Sequence, residues 1–405
     1  MAHRLANEGK FFFLSRPRRF GKSLLLSTLA SYFDGRRDLF RGLAVERLEK
    51  DWARHPVLHI DLNVRAYRNA EDLDIGLDTN LRMYEEKWEI TPGRVDAAAR
   101  FFDLIQHAYR KTGQKAVVLI DEYDRPLIQT MERGIPNDDM RAALKGFYGV
   151  LKSADQWLRF VMLTGVTKFS KVSVFSDLNM LEDISMSDEY ACLCGISARE
   201  LEACFGPELE SLAEKNGMTY GEAVAEMKKN YDGYHFSKDS EAVFNPFSAL
   251  RALKSKEFSF YWFRTGTPTF LIDALKEARY DLMGLAEGVK IPEESIDDYR
   301  TDGGNLAPLL YQSGYLTICG YGDGMYSLAF PNAEVRCGFL QELLRYCTQG
   351  LPVQEFYVGL FMGDLRSGDV DAFMERMRAL IAKIPYEFGG GKERQCQFIF
   401  YLLFT

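Results

Sequence analysis

Residues Phe11 to Ser23 read FFFLSRPRRFGKS. A run of large apolar residues with no polar alternation suits a strand covered on both faces, the mark of an interior parallel strand. It passes into a basic loop and closes on Gly21-Lys22-Ser23, and Leu24 to Phe33 then carry a helical pattern. Strand, tight loop and helix in that succession aim the loop's N–H groups and the positive end of the helix at one point. An anion belongs there. The layout is that of a phosphate-binding loop formed by Arg18, Arg19, Phe20, Gly21, Lys22, Ser23 and Leu24, with Lys22 reaching β- and γ-phosphate oxygens and Ser23 offering its hydroxyl to Mg²⁺.

The usual spacing GxxxxGK[ST] places a first glycine where this chain has Arg16, and Gly21-Lys22-Ser23 alone would fit an ordinary helix start. A second motif decides between the two. Ala116 to Asp124, AVVLIDEYD, is an apolar strand ending in carboxylates. Asp121 is placed to hold Mg²⁺ beside Ser23, and Glu122 to orient a water in line with the γ-phosphate. A third apolar strand, Leu158 to Gly165, ends at Thr164. In NTPases of the additional-strand, catalytic-glutamate class, the strand between the other two carries a polar sensor of the γ-phosphate, and Thr164 is the candidate; a threonine capping a strand end is the plainer alternative. Lys168 reads as a solvated loop lysine within reach of the site. Arg16, Arg18 and Arg19 beside Lys22 repel one another unless an anion neutralises them, so nucleotide phosphate is their expected partner; Arg19 is a candidate cis-acting charge, which a partner subunit could equally supply.

With 405 residues, two or three domains are expected. A net charge of −8 argues against a generally basic, nucleic-acid-coating surface. Seven cysteines without CxxC spacing and five histidines without HxH or HExxH point away from zinc and the common metalloenzymes. Odd cysteine usage without a signal peptide fits a reducing cytoplasm, and no apolar stretch has the length of a membrane helix.

The first domain is expected over 1–175 as an α/β parallel sheet, with a further strand at Pro56 to Val64 and helices at Glu71 to Glu89, Arg94 to Thr112 and Asn137 to Ala154. A helical lid follows over 176–300, marked by the capping box from Ser197 to Glu200 and by Asn245-Pro246 and Thr267-Pro268. Tyr231-Asp232-Gly233-Tyr234 and Thr265 to Pro268 read as turns and caps. Over 301–350 a helix from Asn305 to Ser313, a strand from Tyr315 to Cys319, a turn from Gly320 to Gly324 and a strand from Met325 to Phe330 resemble a winged helix. Its wing carries Asp323 and no basic residue, which suits a protein contact better than DNA.

The segments SRPRRFGKS, LIDEYD, LTGVTKFS, YDGYHF, NPFS, TGTPTFL, LLYQSGYLTI and FPNAEV run in order over nearly the whole chain. In them the chain resembles the bacterial AAA-ATPase-like proteins, whose N-terminal ATPase domain is joined to a C-terminal PD-(D/E)XK nuclease-like domain. The resemblance implies that Arg16 in place of the first glycine is usual. It also implies that 351–405 hold a helical linker and the start of the nuclease-like domain, with Glu393 matching a helix carboxylate. The later metal-binding carboxylates of that domain do not follow, so a truncated chain without nuclease activity is expected. The apolar run from Phe398 to Phe404 would then seek a protein partner or self-associate.

The reading is therefore a Mg²⁺-dependent, ATP-binding and ATP-hydrolysing switch. A GTPase is the rival enzyme, but Thr167-Lys168-Phe169-Ser170 has serine where guanine reading needs aspartate. The rival of another class is a scaffold that binds ATP without hydrolysing it.

Overall fold

Five strands build the central sheet: β1 (Phe11–Ser15), β2 (Val57–Asp61), β3 (Ala116–Asp121), β4 (Leu158–Gly165) and β5 (Glu182–Asp183). The computed structural model describes residues 1–91, 93, 96–168, 178–263, 271, 274–275, 284–285, 288–297, 306–347 and 359–381. Across the sheet the order is β2-β3-β4-β1-β5, and each neighbouring pair is parallel. This is the α/β sheet of a P-loop NTPase, with β4 between the strand that feeds the loop and the strand that ends in carboxylates. The edge strand β5 is drawn from beyond residue 175, so the sheet reaches past the expected domain boundary.

Side-chain alternation explains why these strands read as unbroken apolar runs. Phe11, Phe13, Val118, Ile120, Val161 and Leu163 share one core with the helices Ala70–Trp88, Ala97–Thr112 and Asp138–Ser153. Phe12, Leu14, Val117, Leu119, Phe160 and Met162 share another with helix Lys22–Phe33. Both faces are covered, so neither set of alternating positions can be polar. The helix expected from Arg94 begins at Ala97 because the Asp96 carboxylate accepts the Ala99 N–H as its N-cap, and it ends at Gly113 with φ 69°.

Beyond the sheet, the capping box of Ser197 and Glu200 opens helix Ala198–Lys215, and Asn245 caps Pro246–Ser255 with proline at the first turn. Thr219 and Glu222 form a second capping box that the sequence reading did not single out. Gly233 (φ 92°) lies so close to Pro331 that a Cβ there would stand 2.0 Å from its carbonyl oxygen, which accounts for the YDGY segment as structure.

Helix Ala307–Ser313 ends at Gly314 (φ 89°), and the hairpin Thr317–Gly322 and Met325–Ala329 follows. Its turn is shorter than expected: Asp323 (φ 52°) and Gly324 (φ 71°) are both left-handed, as a two-residue type I′ turn demands. A third strand, Val289–Pro292, pairs antiparallel with Met325–Ala329. A helix beside a three-stranded antiparallel sheet does not by itself make a winged helix. Residues 359–381 contribute the helices Gly359–Ser367 and Val370–Ile381. The segments Thr265 to Pro268, Phe169-Ser170, Ile384 to Tyr386, Glu393 and Phe398 to Phe404 lie outside the described residues. No helix among those described is long and apolar enough to cross a membrane.

One buried carboxyl in this half makes a prediction. Glu334 accepts the Trp262 N–H at 2.7 Å, and burial pushes its carboxyl up to about 7. The folded value lies above the unfolded one, so its contribution to stability is full below about 4.5 and is lost as pH rises from there through 7. The loss should reach about 3 kcal/mol by pH 8. Denaturant melts at pH 5 and pH 8 should show Glu334→Gln without this component. The same pH dependence in both proteins would refute it.

Candidate nucleotide site

Helix Lys22–Phe33 starts from Gly21, whose φ of 79° is left-handed and costs a glycine little. Arg19, at φ 67°, is left-handed as well. A non-glycine residue held there marks a loop whose curvature is imposed by its surroundings. Two left-handed residues turn the chain sharply between β1 and the helix.

Lys22 is the central cation. Its side chain is 3% exposed, its Nζ donates to the carbonyls of Arg16 (3.1 Å) and Pro17 (3.3 Å), and it lies 3.4 Å from Glu122 Oε1. Residues a hundred positions apart in the chain thus meet, because β1 and β3 end on the same edge of the sheet with β4 between them.

The opposing wall is carboxylate. Asp121 closes β3, and its Oδ1 accepts both the Thr164 hydroxyl (2.7 Å) and the Glu122 N–H (3.0 Å). No hydrogen bond from the described residues reaches Oδ2, which is left as the outward acceptor. Glu122 follows at φ 52°, a conformation that turns its side chain away from the strand's alternation at some cost in backbone strain. Asp61 stands opposite Asp121 in the parallel register. Burial, with the charges of Asp121 and Glu122 adding to it, raises its carboxyl above the ordinary range.

Asp124, the last residue of LIDEYD, is wholly buried. Its Oδ2 accepts from Val166 N (2.9 Å), Thr167 N (2.6 Å) and Thr167 Oγ1 (2.6 Å), pinning the segment that leaves β4 to the segment that leaves β3. Burial first, and Glu122 second, push its carboxyl up to about 6. Asp61 and Asp124 carried no role in the sequence reading. A strand-end position was the available signal for Asp61; for Asp124 the burial and the partners across β4 were invisible.

The remaining candidates are placed as follows. Arg18 is exposed, 3.3 Å from Glu132, and its carbonyl accepts the Trp262 indole N–H at 3.0 Å. Arg19 is exposed and stacks over Phe247 at 4.1 Å; partial burial and the neighbouring charge of Arg251 lower its pKa. Ser23 and Leu24 are exposed on the first turn of the helix, Leu24 at 70%. Phe20 turns its ring away into the C-terminal core, edge-on to Tyr234 (4.8 Å) and Phe236 (5.3 Å), so only its backbone can serve a ligand. Thr164 is fully buried with its hydroxyl on Asp121, so any effect it has on a ligand passes through that carboxylate.

Two expectations are corrected. Arg16 is buried at 1% exposure and its guanidinium is bound by main-chain carbonyls, which removes it from the phosphate-facing patch. Lys168 is no solvated loop lysine. It is 4% exposed and paired with Asp297 (2.9 Å) and Asp183 (3.0 Å), because a buried ammonium needs anionic partners.

The donor set fits magnesium carried by a phosphate. Among the described residues no group of three or more His, Cys, Asp or Glu side chains could hold an ion alone. Mg²⁺ commonly takes one or two protein oxygens and completes its shell with water and phosphate. Asp121 Oδ2 and the Ser23 hydroxyl are the oxygens available for that.

Comparison with known proteins agrees with this architecture. A family model described as predicted AAA-ATPase matches residues 1–175. A protein of Azotobacter chroococcum mcd 1, described as an uncharacterized protein in the vnfD 5′ region, is 38% identical over 393 residues, covering 96% of this chain and 73% of its own length. A sheet of this strand order, a family match over four of its five strands, and a relative aligned along almost the whole chain lead to one conclusion: the chain belongs to the AAA-ATPase-like family.

Proposed function

We propose that this chain binds ATP with Mg²⁺ in the loop between β1 and helix Lys22–Phe33 and hydrolyses it, and that nucleotide state is transmitted to the C-terminal half. The observation that carries the proposal is the approach of Lys22 Nζ to Glu122 at 3.4 Å, next to Asp121, at one edge of the sheet. The backbone from Arg18 to Leu24 receives the phosphates, and Lys22 exchanges its pairing with Glu122 for β- and γ-oxygens. Ser23 and Asp121 would hold the hydrated metal, which would supply neutralisation of phosphate charge. Thr164 fixes Asp121 through Oδ1. Glu122, released from Lys22, orients the attacking water, and Arg19 is the candidate cis-acting charge for the outer phosphate. Transmission is supported by Phe20, a loop residue whose ring is part of the C-terminal core, and by the Trp262 bond to the Arg18 carbonyl.

Titration calorimetry of the whole chain with ATP and with GTP, with and without Mg²⁺, tests this. Mg²⁺-dependent ATP binding with weaker GTP binding is expected. Binding of neither nucleotide would end the proposal.

A further inference from the structure

We propose that Arg16 is a positioning residue for Lys22, and that through it the placement of the cradle lysine depends on the segment Ser185 to Leu193 and on Phe236. The inference rests on the nucleotide reading above and concerns what sets that site's geometry.

Arg16 occupies the place where a glycine usually opens the loop. Its guanidinium has no carboxylate in ion-pair contact among the described residues. Instead Nε donates to Leu193 O (3.2 Å), Nη1 to Ser15 O (2.9 Å) and Ser185 O (2.8 Å), and Nη2 to Tyr190 O (2.9 Å) and Ala191 O (3.3 Å). The guanidinium carbon sits 4.0 Å from the centre of the Phe236 ring. A planar fork with five donors can satisfy carbonyls spread around it and stack at the same time; an ammonium cannot.

The backbone of the same residue faces the site. Its N–H donates to Gly165 O at the end of β4 (3.1 Å), and its carbonyl accepts Lys22 Nζ (3.1 Å). One residue therefore joins the end of β4, the cradle lysine and the C-terminal half. If the guanidinium loses its seat, the carbonyl that holds Lys22 is free to move, and with it the ammonium. Phe236, which contacts Arg16 and Phe20 from the C-terminal half, sets the other side of that seat.

The test uses Arg16→Lys and Phe236→Leu in the whole chain, with Mg-ATP affinity measured by calorimetry at a temperature where circular dichroism shows each protein fully folded. A merely structural role lowers the melting temperature but leaves the affinity of the folded protein unchanged. The positioning role lowers that affinity, by about tenfold for Arg16→Lys, as expected when a charged group is displaced by a fraction of an ångström to an ångström. Phe236→Leu, which removes the ring beneath the guanidinium, should lower it in the same direction. Wild-type affinity in both folded variants would overturn the inference and leave the nucleotide reading intact. Should Arg16→Lys fail to fold, Phe236→Leu decides alone. If the wild-type protein binds no nucleotide, the nucleotide reading fails first and this inference falls with it.

Discussion

Lys22→Ala should abolish measurable Mg-ATP binding while leaving the fold in place. The ammonium is almost entirely buried, with two carbonyl acceptors and Glu122 around it. Its removal takes away the buried cation beside Glu122 and leaves that carboxylate facing the incoming phosphates unneutralised. Charge-assisted hydrogen bonds to phosphate are among the stronger ones, and the added like-charge repulsion acts in the same direction, so a loss of at least about a hundredfold is expected. The strand order does not depend on this side chain, so the circular dichroism spectrum should be unchanged. Calorimetric titration reads the result. Binding within about threefold of wild type, a difference well under 1 kcal/mol, would remove Lys22 from the site.

Glu122→Gln should separate binding from turnover. Loss of a positioned base costs about two to four powers of ten in rate. Binding should be kept or slightly strengthened, because glutamine no longer competes with the phosphates for Lys22. Glutamine has nearly the same shape and can occupy the same left-handed backbone position at no more strain than glutamate does. Phosphate release under saturating Mg-ATP is the measurement, with nucleotide residence time as its companion. If neither quantity changes, ATP is a bound structural ligand and the chain is a scaffold rather than an enzyme.

Much of the sheet was legible because its evidence is local. FFFL, AVVLID and LRFVMLTG are strands covered on both faces, and their shortness, turn-rich flanks and aromatic and β-branched content tell them from buried helix. Gly113, Ser197 and Asn245 announce helix ends by chemistry acting within four residues. The turn of the C-terminal hairpin was misjudged in length because glycines at 320 and 322 suggested a loop. Pairing with Met325–Ala329 instead places both in a strand.

Charged residues were the harder part, since a cation's role is set by what lies around it after folding. Arg16 and Lys22 are six positions apart and both basic. One finds carbonyls 169 to 177 positions away and is buried against them, while the other remains beside Glu122. Lys168 is claimed by Asp297, 129 positions on, and its backbone N–H by Gln312, 144 positions on. Taken alone, the sequence determined the α/β class, the tight basic loop between the first strand and its helix, and the carboxylate-ended strand, because each is encoded in contiguous residues. Which arginine is buried, what Thr164 bonds, and the gripping of the loop by the C-terminal half were decided only by tertiary structure. Those outcomes depend on desolvation and on partners brought together across long stretches of chain, and no local spacing carries that information.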